Sequence, residues 1–208
     1  MHILVVADEP DKGLWELYQK EKIKRADLIL SCGDLPAEYL EFLVTIASCP
    51  LLYIHGNHDD RYDSNPPGGC FCIEDQVYTY KGLRILGLGG SMRYKPGGHM
   101  YTEREMRRRL RHPRLMLRLM KSRGFDILIT HAPARGYGDL EDLPHRGFEC
   151  FNRLLERYKP KFMFYGHVHQ SYGHFVRTRE HPSGTKLINA GGSYELVLEP
   201  ETNEQQSK

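Results

Sequence analysis

The 208-residue sequence has no hydrophobic run long enough to cross a bilayer and no basic, apolar leader of the secretory type. A membrane-spanning helix needs about 20 apolar residues, whereas runs such as 3–7 and 127–130 stop after a few residues. The five cysteines form no Cys-x-x-Cys pair, which is unlike a disulfide framework or a cysteine-built zinc site. We therefore expect a cytoplasmic protein with reduced thiols and no membrane partner.

Neither sign of charge dominates, since 29 Lys and Arg against 27 Asp and Glu give a formal net charge of +2. Hydrophobic residues make up 40% of the chain and charged residues 27%, as in ordinary globular domains. A chain of this length buries roughly 70% of the surface that its unfolded form exposes, so its core needs neither metal nor disulfide. The composition excludes collagen-like, disordered and mini-protein classes. We predict one domain over residues 1–198, followed by a polar tail over 199–208.

Short apolar runs alternate with amphipathic segments along the chain, which is typical of an α/β fold. The predicted strands are 3–7, 28–31, 51–55, 77–80, 85–88, 127–130, 162–165, 187–190 and 194–198. The predicted helices are 14–22, 36–47, 102–122 and 148–158.

Five of these strands run directly into side chains that bind metals or move protons. These side chains are Asp8, Asp34, the run Asn57-His58-Asp59, His131, and the pair His167 and His169. Singly, each also fits a helix cap, a turn or a surface feature. Ligands bind beyond the carboxyl ends of strands in open α/β sheets, so we expect these residues to converge.

Oxygen and nitrogen donors without thiolate suit manganese, iron, nickel or zinc. Two such ions about 3.5–4 Å apart can share a carboxylate, hold a hydroxide and clamp a phosphoryl group during in-line displacement. The cluster therefore points to phosphate-ester hydrolysis with one or two divalent ions as cofactors.

The order of these motifs resembles that of the calcineurin-like metallophosphoesterase family. The matching segments are Asp8, Gly33-Asp34, Gly56-Asn57-His58-Asp59, His131 and Gly166-His167-Val168-His169. The resemblance extends from residue 3 to about residue 198. It implies two mixed β-sheets packed as a sandwich and flanked by helices, in four αββα layers, with a metal centre at the sheet ends.

The resemblance also implies a role for each polar residue of this centre. Asp34 would bridge two metal ions. The remaining ligands would be Asn57, His131 and His167 for one ion and Asp8 and His169 for the other. His58 would donate a proton to the leaving group. Asp59 would either orient the His58 imidazole or tie down the loop.

One position departs from the family pattern. The family has a His two residues after its first Asp, whereas this sequence has Pro10, which offers no donor atom. We expect an asymmetric centre in which the Asn57 site fills first and the Asp8 site is weak or water-filled. Glu9 and Asp11 flank the gap, and either could supply a replacement carboxylate.

Two further interpretations stay open beside a phosphoesterase acting on a mono- or diester. One is a non-catalytic metal-binding interaction module on the same fold, because Pro10 removes a ligand. The other is an enzyme acting on nucleic acid, since residues 101–124 carry nine basic and two acidic side chains, a local charge of +7. The polar segment 136–147 follows His131 and is expected to overhang the metal site, where it would shape substrate choice.

Overall fold

The computed structural model describes residues 1–16, 19–110, 124–172 and 175–199. Their strands are β1 (His2–Ala7), β2 (Leu28–Ser31), β3 (Leu51–Tyr53), β4 (Phe71–Cys72), β5 (Val77–Tyr80), β6 (Leu83–Leu88), β7 (Ser91–Met92), β8 (Met100–Tyr101), β9 (Ile127–Thr130), β10 (Phe162–Tyr165), β11 (Thr178–Glu180), β12 (Lys186–Asn189) and β13 (Gly192–Val197). Their α-helices are α1 (Lys12–Trp15), α2 (Lys20–Lys24), α3 (Ala37–Ile46), α4 (Glu103–Arg109) and α5 (Glu149–Tyr158).

Two large mixed sheets organise the molecule. The first has the strand order β13-β1-β2-β3-β4, and the second has the order β11-β12-β10-β9-β6-β5. Strands β1 to β4 pair in parallel, as do β12, β10, β9 and β6, while β13, β11 and β5 pair antiparallel at the edges. Parallel pairing brings the carboxyl ends of the central strands to one edge of each sheet.

The side chains of β1 and β9 show how the layers are stacked. Ile3 and Val5 of β1 join Ile127 and Ile129 of β9 in a core that lies between the two sheets. Leu4 and its alternate neighbours pack outward against α1, α2 and α3, and the outer face of the second sheet packs against α4 and α5. Because strands covered on both faces read as continuous apolar runs, the β1 sequence lacks alternation. The predicted four-layer αββα sandwich is confirmed.

All nine predicted strands are present, with bounds shifted by at most two residues. The helix predicted over 14–22 is instead two short helices, α1 and α2. Helix α1 begins early because the Asp11 carboxylate accepts hydrogen bonds from the Gly13 and Leu14 N–H groups and so caps it.

The helix predicted over 102–122 begins as expected, since Thr102 and Glu105 form a capping box at the start of α4. The remainder of that prediction, residues 111–122, lies outside the described residues, as does the tail from residue 200 onward. Within the described ranges, no helix combines the length and the apolar character that a bilayer-spanning segment needs.

Candidate metal centre

Sharp backbone turns place polar side chains at the carboxyl ends of the central strands. Asp8 follows β1, Asp34 follows β2 and His167 follows β10, and their φ angles are 64°, 58° and 68°. This left-handed conformation is unfavourable for residues other than glycine and persists at functional sites where the surroundings enforce it. A Cβ atom on Gly56 would collide with the Asp34 carboxylate, so glycine is required where the loop after β3 approaches Asp34.

Four residues that the resemblance assigns to one ion lie together. The ligand atoms of Asp34, His131 and His167 lie within 4.8 Å of one another. Nε2 of His131 is 3.2 Å from Oδ2 of Asp34 and 3.1 Å from Oδ1 of Asn57. The structure thus brings together side chains from the ends of four different strands.

Two backbone carbonyls fix which imidazole nitrogens carry protons. Nδ1 of His131 lies 2.8 Å from the Cys32 carbonyl, and Nε2 of His167 lies 2.8 Å from the Pro144 carbonyl. A carbonyl only accepts, so these two nitrogens donate, as the outer hydrogen bonds of metal-ligating histidines do. Nε2 of His131 and Nδ1 of His167 are therefore the nitrogens that can bind a metal ion.

The charged groups of the cluster change one another's pKa values. Burial lowers the pKa of His131, but the neighbouring Asp34 carboxylate outweighs it and raises that pKa to about 9. Burial opposes ionisation of Asp34, yet the charge and hydrogen bond of His131 hold its pKa well below the usual range. Burial and the charge of His131 lower the pKa of His167 to about 3. At neutral pH, His167 therefore keeps a free lone pair, and a cation competes with one proton on His131.

The Asp8 carboxylate has one hydrogen-bonded oxygen and one buried oxygen without a partner among the described residues. Its Oδ1 accepts a hydrogen bond of 2.7 Å from the His167 N–H. Its Oδ2 is buried and has no hydrogen-bond partner among the described residues. Burial accordingly raises the pKa of Asp8. An orphaned carboxylate oxygen beside a His and Asp cluster is the donor that a divalent ion satisfies.

His169 does not belong to the group of close ligand atoms that Asp34, His131 and His167 form. Its Nδ1 lies 3.2 Å from Oε1 of Glu9, an exposed carboxylate beside Pro10. Asp11, the other flanking acid, is occupied, because one of its oxygens caps α1 and the other accepts from the Ser193 hydroxyl. Glu9 is therefore better placed than Asp11 to supply the ligand that Pro10 lacks.

A cleft of about 740 Å³ opens onto the centre and is lined by Asp8, Pro10, Asp34, His58 and other residues. His58 is exposed in this cleft, and its backbone N–H donates to Oδ1 of Asp34 at 2.8 Å. This hydrogen bond fixes the His58 backbone directly against the carboxylate that would bridge two ions.

Asp59 has a different setting. It is buried, and its Oδ2 accepts 2.7 Å hydrogen bonds from the N–H groups of both Asp34 and Gly56. No hydrogen bond joins its carboxylate to His58 in the part of the chain that the structure describes. Of the two roles predicted for Asp59, the geometry supports tying the loop rather than orienting the imidazole. Burial, followed by the charge of Asp34, raises its pKa.

The segment 136–147 overhangs the centre as expected. In addition to the Pro144 carbonyl, the His145 ring lies 5.3 Å from the His167 ring, centroid to centroid. Nδ1 of His145 in turn contacts the Asp142 carboxylate at 2.6 Å. Sequence reasoning missed the carbonyls of Cys32 and Pro144, because a backbone acceptor has no side-chain signature.

Comparison with known proteins places these motifs in context. The family model for calcineurin-like phosphoesterases matches residues 1–171. An uncharacterised Haemophilus influenzae protein is 25% identical over 199 residues, covering 82% of this chain and 84% of that protein. Human metallophosphoesterase domain-containing protein 1 is 25% identical over 191 residues, covering 71% of this chain.

A UPF0046 protein of Caenorhabditis elegans is 24% identical over 173 residues, covering 69% of this chain. The chain spans 58% of the length of this worm relative and 55% of the human one.

A solved structure, TT1561 of Thermus thermophilus, superposes with a TM-score of 0.60 at 16% identity, covering 91% of this chain and 88% of that one. At this identity the likeness concerns the fold. The family match, in contrast, spans the strand ends that carry Asp8, Asp34, Asn57, His131 and His167. The chain belongs to the calcineurin-like phosphoesterase family.

Proposed function

We propose that the protein is a metal-dependent phosphoesterase that hydrolyses a phosphate mono- or diester. The observation that carries this proposal is the meeting of Asp34, Asn57, His131 and His167 beneath a cleft that His58 also lines. A metal-ligand cluster and a proton-transfer group at one cleft are the two elements that ester hydrolysis requires.

The donor set suits one firmly held divalent ion, either manganese, iron, nickel or zinc. Such an ion supplies Lewis-acid activation of the phosphoryl group and of the attacking water. Asp34, Asn57, His131 and His167 would hold it. The carbonyls of Cys32 and Pro144 keep both imidazoles in the tautomers that this ligation needs.

A second ion would be held more weakly by Asp8, Asp34 and His169, because Pro10 contributes no ligand. The contact between Glu9 and His169 supports Glu9 as an additional ligand there. We therefore propose one or two ions per chain, with unequal affinities.

His58 is the proposed general acid. Its imidazole is exposed in the cleft, while its backbone is fixed to Asp34, so it can reach the leaving oxygen of an ester bound at the centre. Asp59 is proposed to hold this loop through Gly56 and Asp34. A non-catalytic module would need metal ligands but no acid at the cleft, so His58 favours the enzyme.

We keep nucleic acid as the alternative substrate, for which the basic stretch 101–124 is the local support. Five residues of the basic stretch 101–124 lie outside the described residues: Arg111, Arg114, Arg118, Lys121 and Arg123. Arg104, Arg107 and Arg108 of the same stretch are exposed. Arg109 is only 11% exposed at its side chain and pairs with Glu74 and Asp75, so it presents little charge to a polyanion. We also propose that the protein is cytoplasmic, a compartment in which its five cysteines would stay reduced.

Metal-stripped protein tests the proposed function. It is titrated with manganese, iron, nickel and zinc while hydrolysis of chromogenic mono- and diesters is followed. We expect activity to return with at least one metal. We expect the His58→Ala variant to lose about 10²–10⁴-fold in kcat while binding the same number of ions.

A matched control is His2→Gln, which changes a histidine at the opposite end of β1 and should leave kcat unchanged. Activity absent under every metal would contradict the enzyme and favour the interaction module. Full activity of the His58→Ala variant would contradict the role of His58.

A further inference from the structure

A second group of metal-capable side chains lies outside the candidate metal centre. It consists of His55, Asp63 and His99, whose ligand atoms lie within 4.8 Å of one another. Oδ1 of Asp63 is 3.3 Å from Nε2 of His99 and 4.0 Å from Nε2 of His55. Ligand atoms around a tetrahedral zinc ion are about 3.4 Å apart, as bonds of about 2.0–2.1 Å require. The spacing of the three side chains is thus near that of a metal site.

The three residues come from separate segments that the fold presses together. His55 follows β3, Asp63 ends a 3₁₀ turn (Asp60–Asp63), and His99 lies between β7 and β8 with a left-handed φ of 47°. A Cβ atom on Gly98 would collide with the Asp60 carboxylate. The His99 segment and the 3₁₀ turn are therefore in tight contact before any ligand is considered.

His55 has the outer hydrogen bond that is typical of a metal-ligating histidine. Its Nδ1 lies 3.3 Å from Oε2 of Glu74, and the Glu74 carboxylate is itself held by Arg109 and by the Gly89 N–H at 2.7 Å. A carboxylate accepts, so the proton resides on Nδ1 and Nε2 faces Asp63. Such a carboxylate and histidine pair orients the imidazole and increases its basicity toward a metal.

Nε2 of His99 is buried and has no hydrogen-bond partner within the described ranges. Asp63 approaches this nitrogen to 3.3 Å, but without the alignment of a hydrogen bond. A buried nitrogen without a hydrogen bond destabilises the folded protein, and a bound ligand would satisfy it.

The rings of His55 and His99 are stacked, with centroids 4.2 Å apart and planes 2° from parallel. A rotation of one ring about its broad Cβ–Cγ torsion is needed to direct both lone pairs at one ion.

We propose that His55, His99 and Asp63 bind a further divalent cation, separate from the candidate metal centre. Two imidazoles and a carboxylate are ligands that suit zinc. Two imidazoles and one carboxylate leave a fourth position, which water can fill because the Asp63 side chain is 65% exposed. The ion ties the turn Asp60–Asp63 to the segment before β8. In sequence, His55 precedes and Asp63 follows the loop that carries Asn57, His58 and Asp59. The bound ion therefore anchors both ends of that loop.

Zinc counting on the full chain tests this site. Metal-stripped protein is equilibrated with zinc, freed of loose metal, and measured for bound zinc per chain. We expect His99→Gln and Asp63→Asn each to bind one zinc fewer than the wild type, and the control His2→Gln to bind the wild-type number. Asp63 is solvent-exposed, so Asp63→Asn should fold even if His99→Gln does not.

Two further measurements separate this site from the candidate metal centre. A double variant, Asp34→Asn with His131→Gln, should retain one zinc per chain, because it leaves His55, Asp63 and His99 unchanged. Zinc should also raise the Tm of the double variant, and adding Asp63→Asn should abolish that rise. Equal zinc content in the wild type, His99→Gln and Asp63→Asn would overturn the proposal, as would a double variant that binds no zinc.

Discussion

Replacing Glu74 by Gln removes one charge from a buried ion pair while keeping the shape of the side chain. The Glu74 carboxylate is 19% exposed, contacts Arg109, and accepts hydrogen bonds from the N–H groups of His55 and Gly89. Burial raises the pKa of Glu74, but His55 and Arg109 outweigh it and lower that pKa from 4.5 to about 2. By linkage, this difference corresponds to about 3 kcal/mol of folding free energy at pH 7.

The sign of the pH dependence follows from the lowered pKa. The stabilisation by Glu74 is complete above its unfolded pKa of 4.5 and is lost as the pH falls through about 2. We therefore expect Glu74→Gln to cost about 3 kcal/mol at pH 7, nearly as much at pH 5, and only about 1 kcal/mol at pH 3.

Urea unfolding followed by circular dichroism at pH 7, 5 and 3 measures these differences, with a chelator present so that metal release contributes nothing. The control Glu180→Gln removes an exposed carboxylate on the edge strand β11 and should change stability by less than about 0.5 kcal/mol at each pH. A Glu74→Gln cost that is the same at pH 7 and pH 3 would refute the linkage argument.

Three further predictions concern the metal centre and the core. The pKa of His131 is about 9, so a bound ion displaces a proton from it at neutral pH. The apparent metal affinity, measured by calorimetry, should therefore rise about tenfold per pH unit between pH 6 and 8. An affinity that does not change with pH would count against His131 as a ligand. Glu9→Ala should lower the number of bound ions per chain by one, whereas Asp11→Ala should leave the number unchanged and weaken α1 instead; an unchanged count in both variants would exclude Glu9 as the replacement ligand. Phe164→Ala, in the fully buried layer between the sheets, should cost about 3–5 kcal/mol of unfolding free energy, and a cost below about 1 kcal/mol would contradict its position in the core.

The strands and their polar ends could be predicted because two strong signals coincide in them. A strand buried on both faces is a continuous apolar run, and the residue that follows it lies at the sheet edge where ligands bind. Asp34, His131 and His167 each satisfy both conditions, and the structure places their ligand atoms within 4.8 Å. Their convergence was therefore predictable without any knowledge of distances.

Other features depend on contacts between distant segments and leave no local signal. Asp59 follows His58 directly, yet its carboxylate turns to Asp34, 25 residues away in sequence. The pairing of Glu74 with Arg109 spans 35 residues and joins a strand end to a helix.

Anomalous diffraction from crystals soaked in manganese, recorded at an energy where manganese scatters anomalously, locates the bound ion. We expect a peak within about 2.0–2.5 Å of Oδ2 of Asp34, Nε2 of His131 and Nδ1 of His167, with the Asn57 amide oxygen completing the site. Protein that binds manganese in solution yet shows no peak among these atoms, or a peak elsewhere alone, would show that these residues do not form the metal centre.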